Sequence, residues 1–85
     1  MVDDDLRTFD LPDVGEGLSE ARIERVLVEV GERVSALQPI VEVETDKSVV
    51  ELTSPWQGEV TQVFVEADVW VDVGEKLLEM RLERD

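Results

Sequence analysis

The sequence predicts an all-β domain of two similar four-stranded halves, packed as a flattened barrel or sandwich. Three observations carry this reading. Valine is unusually frequent, and short apolar–polar stretches are punctuated by Gly, Pro and Asp. Strong helical periodicity is missing. The chain also repeats itself at an offset of 37 residues.

The patterning places strands at Arg7–Leu11, Ala21–Glu29, Ile40–Glu44, Val49–Leu52, Glu59–Glu66 and Leu77–Leu82, with very short ones around Val34 and Val71. Breaks fall at Pro12–Leu18, Gly31–Arg33, Thr45–Ser48, Ser54–Gly58, Asp68–Val69 and Val73–Glu75, where turn-forming residues gather. Residues 1–6 and Glu83-Arg84-Asp85 read as fraying ends or stubs of a longer chain, leaving a domain over 7–82.

Nine apolar pairs make up the repeat: Ile23/Val60, Val26/Val63, Leu27/Phe64, Val28/Val65, Val30/Ala67, Val34/Val71, Ile40/Leu77, Val41/Leu78 and Val43/Met80. The phase slip from Ile23 to Val26 recurs from Val60 to Val63, which predicts a bend at the same place in both copies. Each half is expected to cover the other's apolar face. Shifting Thr45-Asp46-Lys47 back by 37 lands on Thr8-Phe9-Asp10, and shifting it forward lands on Leu82-Glu83-Arg84. The Lys47 turn is therefore expected to mirror the meeting point of the two chain ends and to lie opposite them.

Eighty-five residues form one domain that buries roughly 60% of its unfolded surface, too little for a core and a deep cleft together. Cysteine and histidine are both absent, which removes disulfides, thiolate metal sites and the commonest general base. The balance of 22 acidic to 8 basic residues, a net of −14, argues against nucleic acid and against an anionic membrane surface. A partner with a basic docking face would be steered towards it, although plain solubility accounts equally for the charge. No apolar run could span a bilayer and the acidic start is unlike a signal peptide, so a soluble, intracellular molecule is expected.

Thr45-Asp46-Lys47-Ser48 separates two alternating stretches, Val41 to Glu44 and Val49 to Leu52, which reads as a half-buried hairpin with Lys47 at its tip. Asp46 suits the turn because its carboxylate can accept backbone N–H groups further along. On pattern alone, Lys47 is an ordinary solvated turn lysine beside Glu44, Asp46 and Glu51. A Schiff-base or general-base role needs burial or cationic neighbours, and the sequence offers neither. An exposed lysine on a rigid hairpin is better suited to being modified.

The ordered set Asp10-Leu-Pro-Asp-Val-Gly-Glu-Gly-Leu-Ser-Glu-Ala21, Gly31-Glu-Arg-Val34, Val43-Glu-Thr-Asp-Lys-Ser48, Ser54-Pro-Trp-Gln-Gly58, Val73-Gly74 and Leu77 resembles the lipoyl domain of 2-oxo-acid dehydrogenase dihydrolipoyl acyltransferases. The resemblance runs in register over about Arg7–Leu82. It implies a barrel-sandwich hybrid of two four-stranded antiparallel sheets with quasi-two-fold symmetry. It also implies that Lys47 is amide-linked to lipoic acid by a lipoyl ligase or transferase. The arm would accept an acyl group from a thiamine-diphosphate-dependent 2-oxo-acid decarboxylase and deliver it to the acyltransferase core of the same chain. Dihydrolipoyl dehydrogenase would then reoxidise it. The module itself would be a monomeric carrier rather than an enzyme, and the cofactor would do the chemistry.

The resemblance further implies that Glu44, Thr45, Asp46 and Ser48 frame the lysine for the modifying enzyme. The Gly15-Glu16-Gly17 loop would lie near the lipoyl turn and contribute to decarboxylase recognition, the alternative being an ordinary glycine loop. Gly31, Pro55, Gly58, Asp68 and Gly74 are expected as structural turns. Gly31 takes φ > 0, and Asp68 stands at its repeat mate, where much of the family has glycine; Gly74 conversely matches Leu37. Trp56 and Trp70 fall in loop or turn regions, where an exposed indole can mark a contact surface; partial packing on the core is the favoured expectation. The Asp-Val-Gly-Glu-Gly start and Asp68 lean towards the branched-chain 2-oxo-acid type. The rival readings are a biotinyl carrier, whose lysine normally lies between two methionines rather than Asp46 and Ser48, and an unmodified interaction module. The longer glycine-cleavage carrier needs extra helices that 85 residues do not hold. The compartment is expected to be cytoplasmic in a bacterium and the mitochondrial matrix in a eukaryote.

Overall fold

The computed structural model describes residues 5–15 and 17–83. Eight strands follow in order: β1 (Leu6–Asp10), β2 (Glu20–Val26), β3 (Arg33–Val34), β4 (Pro39–Glu44), β5 (Val49–Thr53), β6 (Gly58–Val63), β7 (Trp70–Asp72) and β8 (Lys76–Leu82). They form two antiparallel four-stranded sheets, β1-β8-β6-β3 and β5-β4-β2-β7. Leu6 already pairs with Arg81, so the ladder reaches into the segment expected to fray, while residues 1–4, 84 and 85 lie outside the described residues.

The inward-facing members of the repeat make the core. Ile23, Ile40, Val41, Val43, Val60, Leu77, Leu78 and Met80 are fully buried. Each such aliphatic side chain contributes about 1.5–3 kcal/mol relative to leaving it in water. The expected bend is a register shift between Ile23 and Arg25 in β2, and its mate lies between Val60 and Gln62 in β6. Gly31 N–H donates to the Val60 carbonyl at 2.7 Å and Asp68 N–H to the Ile23 carbonyl at 2.8 Å, so the two turns are built alike. Both hold positive φ, 93° for Gly31 and 72° for Asp68. An aspartate tolerates that region better than most side chains.

Two expectations are corrected. The two four-stranded sheets are as expected, but the halves do not lie one over the other: β1 and β3 from the first join β6 and β8 from the second, and the other sheet interleaves the rest. Connections after β1, β2, β3, β5, β6 and β7 all cross between sheets, leaving β4–β5 as the one same-sheet hairpin among the described residues. The offset is also not uniform. Met80 faces Arg7 across β8–β1, and its mate Val43 faces Val50, so β1 and β5 are related by 43 residues rather than 37. The six extra residues sit in the connection from β1 to β2, Leu11 to Ser19, which is longer than that from β5 to β6, Ser54 to Gln57.

With this correction the mate of the Lys47 turn is the gap between the described ends, not Thr8–Asp10. Thr45 N–H donates to the Ser48 carbonyl at 2.9 Å; its mate, Leu82 N–H to the Asp5 carbonyl, measures 2.8 Å. β8 starts at Lys76, beside Asp10 and the loop that packs on the hairpin tip, and runs away from it to Leu82. The tip and the described ends therefore lie at opposite ends of the domain.

Candidate functional site

The site is built on the β4–β5 hairpin, which ends with Glu44 paired to Val49. Thr45 is 9% exposed, whereas Asp46, Lys47 and Ser48 stand in solvent. Two-residue hairpin tips favour turns with φ > 0, but positive φ among the described residues is confined to four glycines, Leu37 and Asp68. The tip compensates with a side chain. The Thr45 hydroxyl donates to the Ser48 carbonyl at 3.1 Å and accepts from the N–H groups of Lys47 at 3.3 Å and Ser48 at 3.2 Å. It is Thr45, not Asp46, that gathers the turn's backbone donors.

Beside the tip runs the long connection from β1 to β2. Leu11 is buried and exchanges backbone bonds with Gly74 and Glu75 at 2.9 and 2.8 Å, and the Ser19 carbonyl accepts from Val73 at 2.9 Å. Within the loop, Gly15 N–H donates to Asp13 Oδ1 at 2.9 Å and Leu18 N–H to the Gly15 carbonyl at 3.0 Å. Gly15 and Gly17 flank Glu16, which lies outside the described residues. The loop and tip enclose two adjoining shallow concavities of about 310 Å³ each. Val14, Gly15, Leu18, Thr45, Lys47 and Ser48 line the first, and Gly17, Leu18, Glu20, Asp46 and Trp70 stand around the second.

The strongest charge arrangement at this end centres on Arg22 in β2, opposite Glu44 in β4. Its guanidinium bonds Glu44 at 2.9 Å, Glu24 at 2.6 Å and Asp68 at 2.5 Å. The hydrogen bond to Glu44, with further support from Glu24, holds Arg22 above its ordinary value against a smaller opposing effect of desolvation. Arg22 ties the root of the lysine hairpin to the β6–β7 turn. Sequence reasoning passed it over because only the register puts Arg22 against Glu44.

The remaining turn residues are spread through the fold. Gly74 holds φ 95° and Pro55 is exposed in the β5–β6 connection, while Gly58 opens β6 with its backbone against the Arg81 carbonyl. Trp56 packs against the core as expected. Trp70 does not: it is 58% exposed, because its position in β7 faces away from the core.

A fastened tip presenting a primary amine, beside shallow concavities among the described residues, suits attachment of a group. The protein-family model described as "Biotin-requiring enzyme", for biotin and lipoyl attachment domains, matches residues 7–80. The chain belongs to the biotin/lipoyl domain family. This biotin/lipoyl domain is 39% identical over 72 residues to the dihydrolipoyllysine-residue acetyltransferase component of the pyruvate dehydrogenase complex of Staphylococcus aureus. It is 36% identical to the Staphylococcus epidermidis protein of the same name. In both cases the match covers 85% of this chain and 17% of the relative. The chain thus spans about a sixth of the length of these relatives.

Among solved structures, the domain resembles the lipoyl domain of the 2-oxoglutarate dehydrogenase complex from Azotobacter vinelandii. The TM-score is 0.69 at 25% identity, covering 91% of this chain and 95% of that one. A single-chain, multi-domain long-chain acyl-CoA carboxylase matches with a TM-score of 0.79 at 19% identity, over 99% of this chain and 8% of that one, which shows the fold alone. The all-β fold of two four-stranded sheets is that of a lipoyl domain. These relatives belong to pyruvate and 2-oxoglutarate complexes, and the branched-chain lean draws no support from them.

Proposed function

We propose that the domain is a lipoyl carrier of a 2-oxo-acid dehydrogenase complex, with Lys47 as the amide-linked attachment residue. The observation that carries this is the exposed Lys47 on the β4–β5 hairpin, its turn fastened by the Thr45 hydroxyl. The residues fit the group: the amine is accessible, and the groove beside it leaves room for an apolar chain. Asp46 and Ser48 flank the lysine where a biotinyl site has methionines, which favours lipoate over biotin.

When attached, lipoic acid supplies a dithiolane able to carry an acyl group and two electrons. The chain's own part is mechanical and electrostatic. Thr45 holds the backbone at Lys47 in one shape, so a modifying enzyme meets a preformed loop. Amide formation at Nζ replaces a cation with a neutral group. The acidic surface favours encounter with decarboxylase and dehydrogenase partners that present basic faces, and tethering in a longer chain raises the arm's effective concentration at their sites. Glu44, Thr45, Asp46 and Ser48 frame the tip for the ligase, and the loop carrying Gly15 and Gly17, which line the concavities beside the tip, contributes to decarboxylase recognition.

The test is to incubate the domain separately with lipoyl ligase plus lipoate and with biotin ligase plus biotin, then weigh it. One lipoyl adduct on Lys47 and none in Lys47→Arg is the expected result. Attachment of biotin alone, or of neither group, overturns the proposal.

A further inference from the structure

We propose that the groove between Leu18 and Trp70 is the resting place of the acyl arm carried by Lys47 when the domain is not engaged with a partner. The proposal rests on the reading of Lys47 as the attachment residue. Its starting point is an indole that does not join the core. Trp70 is 58% exposed in β7, and the position equivalent by the repeat is Arg33 in β3. Arg33 is exposed too and ion-paired with Glu83. The same outward position is therefore filled by a charged side chain in one half and by the largest aromatic in the other. The architecture accepts a polar residue there, so the indole serves something outside the core.

The groove leads back to the lysine. Trp70 lines a concavity with Leu18, Thr45 and Asp46, and Leu18 and Thr45 also line the adjoining one that contains Lys47. A path bordered by Val14, Leu18 and Trp70 thus starts at the attachment residue and ends on an aromatic face. On a chain of net charge −14, this is apolar footing at an otherwise polar tip. The rim carries Glu20 and Asp46, which would repel an anionic ligand. The arm is neutral once amide-linked, with an aliphatic chain and a dithiolane ring. Both gain by leaving water for Leu18 and the indole, and sulfur makes favourable contacts with aromatic rings. Because the concavities are shallow and open, the rested arm exchanges with extended ones and stays available to partner enzymes.

The fold supplies its own control. Trp56 lies in the connection whose Gln57 carbonyl accepts from Glu83 N–H at 3.0 Å, at the end away from Lys47. The experiment records the two indole N–H resonances of the ¹⁵N-labelled, unmutated domain in three forms. These are the apo-domain, the octanoylated domain (the same chain without sulfur) and the lipoylated domain, with complete modification established by mass. The expected result is a shift of the Trp70 resonance in both acylated forms with Trp56 unmoved, and a return towards the apo position in lipoylated Leu18→Ser. Quenching of Trp70 emission by the oxidised dithiolane, lost in octanoylated protein, is expected alongside. A complete adduct that leaves Trp70 where it stands in the apo-domain overturns this proposal alone. Equal movement of both indoles also overturns it, since that reports a change in the whole fold. A mass unchanged by the ligase overturns the attachment reading and this one together.

Discussion

Leu37 and Gly74 occupy the same turn in the two halves of the fold, at φ 70° and 95°. Leu37 N–H donates to the Ser54 carbonyl at 2.6 Å, and Gly74 N–H donates to the carbonyl of Leu11, the mate of Ser54, at 2.9 Å. One half has glycine where the backbone turns left-handed; the other holds a leucine there against its steric preference.

Leu37→Gly should therefore stabilise the domain. Leu37 is 76% exposed, so its removal forfeits little burial. A left-handed conformation costs a residue with a Cβ roughly 1–2 kcal/mol, and the entropy glycine loses on folding returns part of this. The expected gain is about 0.5–1 kcal/mol, or a few degrees in Tm for a domain of this size. Thermal melts of the two proteins decide it, and a lower Tm for the glycine variant would show that the leucine makes a contact worth more than the strain.

At the tip, Thr45→Val keeps the shape and removes the hydroxyl. The N–H groups of Lys47 and Ser48 lose their acceptor and must turn to water, at a local cost of about 1–2 kcal/mol. Amide exchange at Lys47 and Ser48 should quicken by roughly tenfold, while exchange in β8 stays slow. Thr45→Ser, which retains the oxygen, should remain close to the parent. Equal protection in the valine variant would mean that the hairpin holds its tip without the hydroxyl.

The repeat made much of this fold legible because most of its matched positions face inward: Ile23/Val60, Val34/Val71 and Val43/Met80 are buried in both copies, whereas Val30/Ala67 and Phe64 stand exposed. Strand positions followed from the same alternation, except that β2 and β6 end at Val26 and Val63, three residues before the expected Glu29 and Glu66. Sheet membership did not, since apolar alternation says which face of a strand is inside but not which neighbour it pairs with. The six-residue insertion before β2 escaped for a related reason: β1 and β5 share no side-chain pattern, and Arg7 matches Val50 only by register. Thr45 was visible as a turn residue, but the geometry that makes its hydroxyl the common partner was not. Trp70 reads as core material by type and faces outward by position.

Arg22→Gln leaves Glu24, Glu44 and Asp68 without their shared cation and takes the net charge from −14 to −15. A lower Tm is expected, with a deficit that shrinks as salt is added, because the uncovered repulsion among exposed carboxylates is screened. The sign of the pH dependence follows from the guanidinium being held above its ordinary value. A raised value means that the contribution is fully present below the unfolded-state pKa and fades only as pH rises through the folded one. For an arginine that window is strongly alkaline, so the deficit should be flat from neutral to moderately alkaline pH. Melts at low and high salt test this, and a deficit that grows with salt would assign Arg22 a packing role instead.

Lys47→Ala separates fold from function most sharply. The residue stands in solvent at the hairpin tip, and the Thr45 hydroxyl fastens the turn to the backbone on both sides of it. Truncation should alter stability by less than about 0.5 kcal/mol and leave the indole resonances of Trp56 and Trp70 at their apo positions. The ligase should add no mass to it, and transfer of an acyl group from a decarboxylase partner should vanish with the adduct. A folded alanine variant that still gained one lipoyl group would move the attachment to the other lysine of the sequence, Lys76 in β8. That residue sits at the start of a strand beside Asp10, without a two-residue hairpin tip to present it.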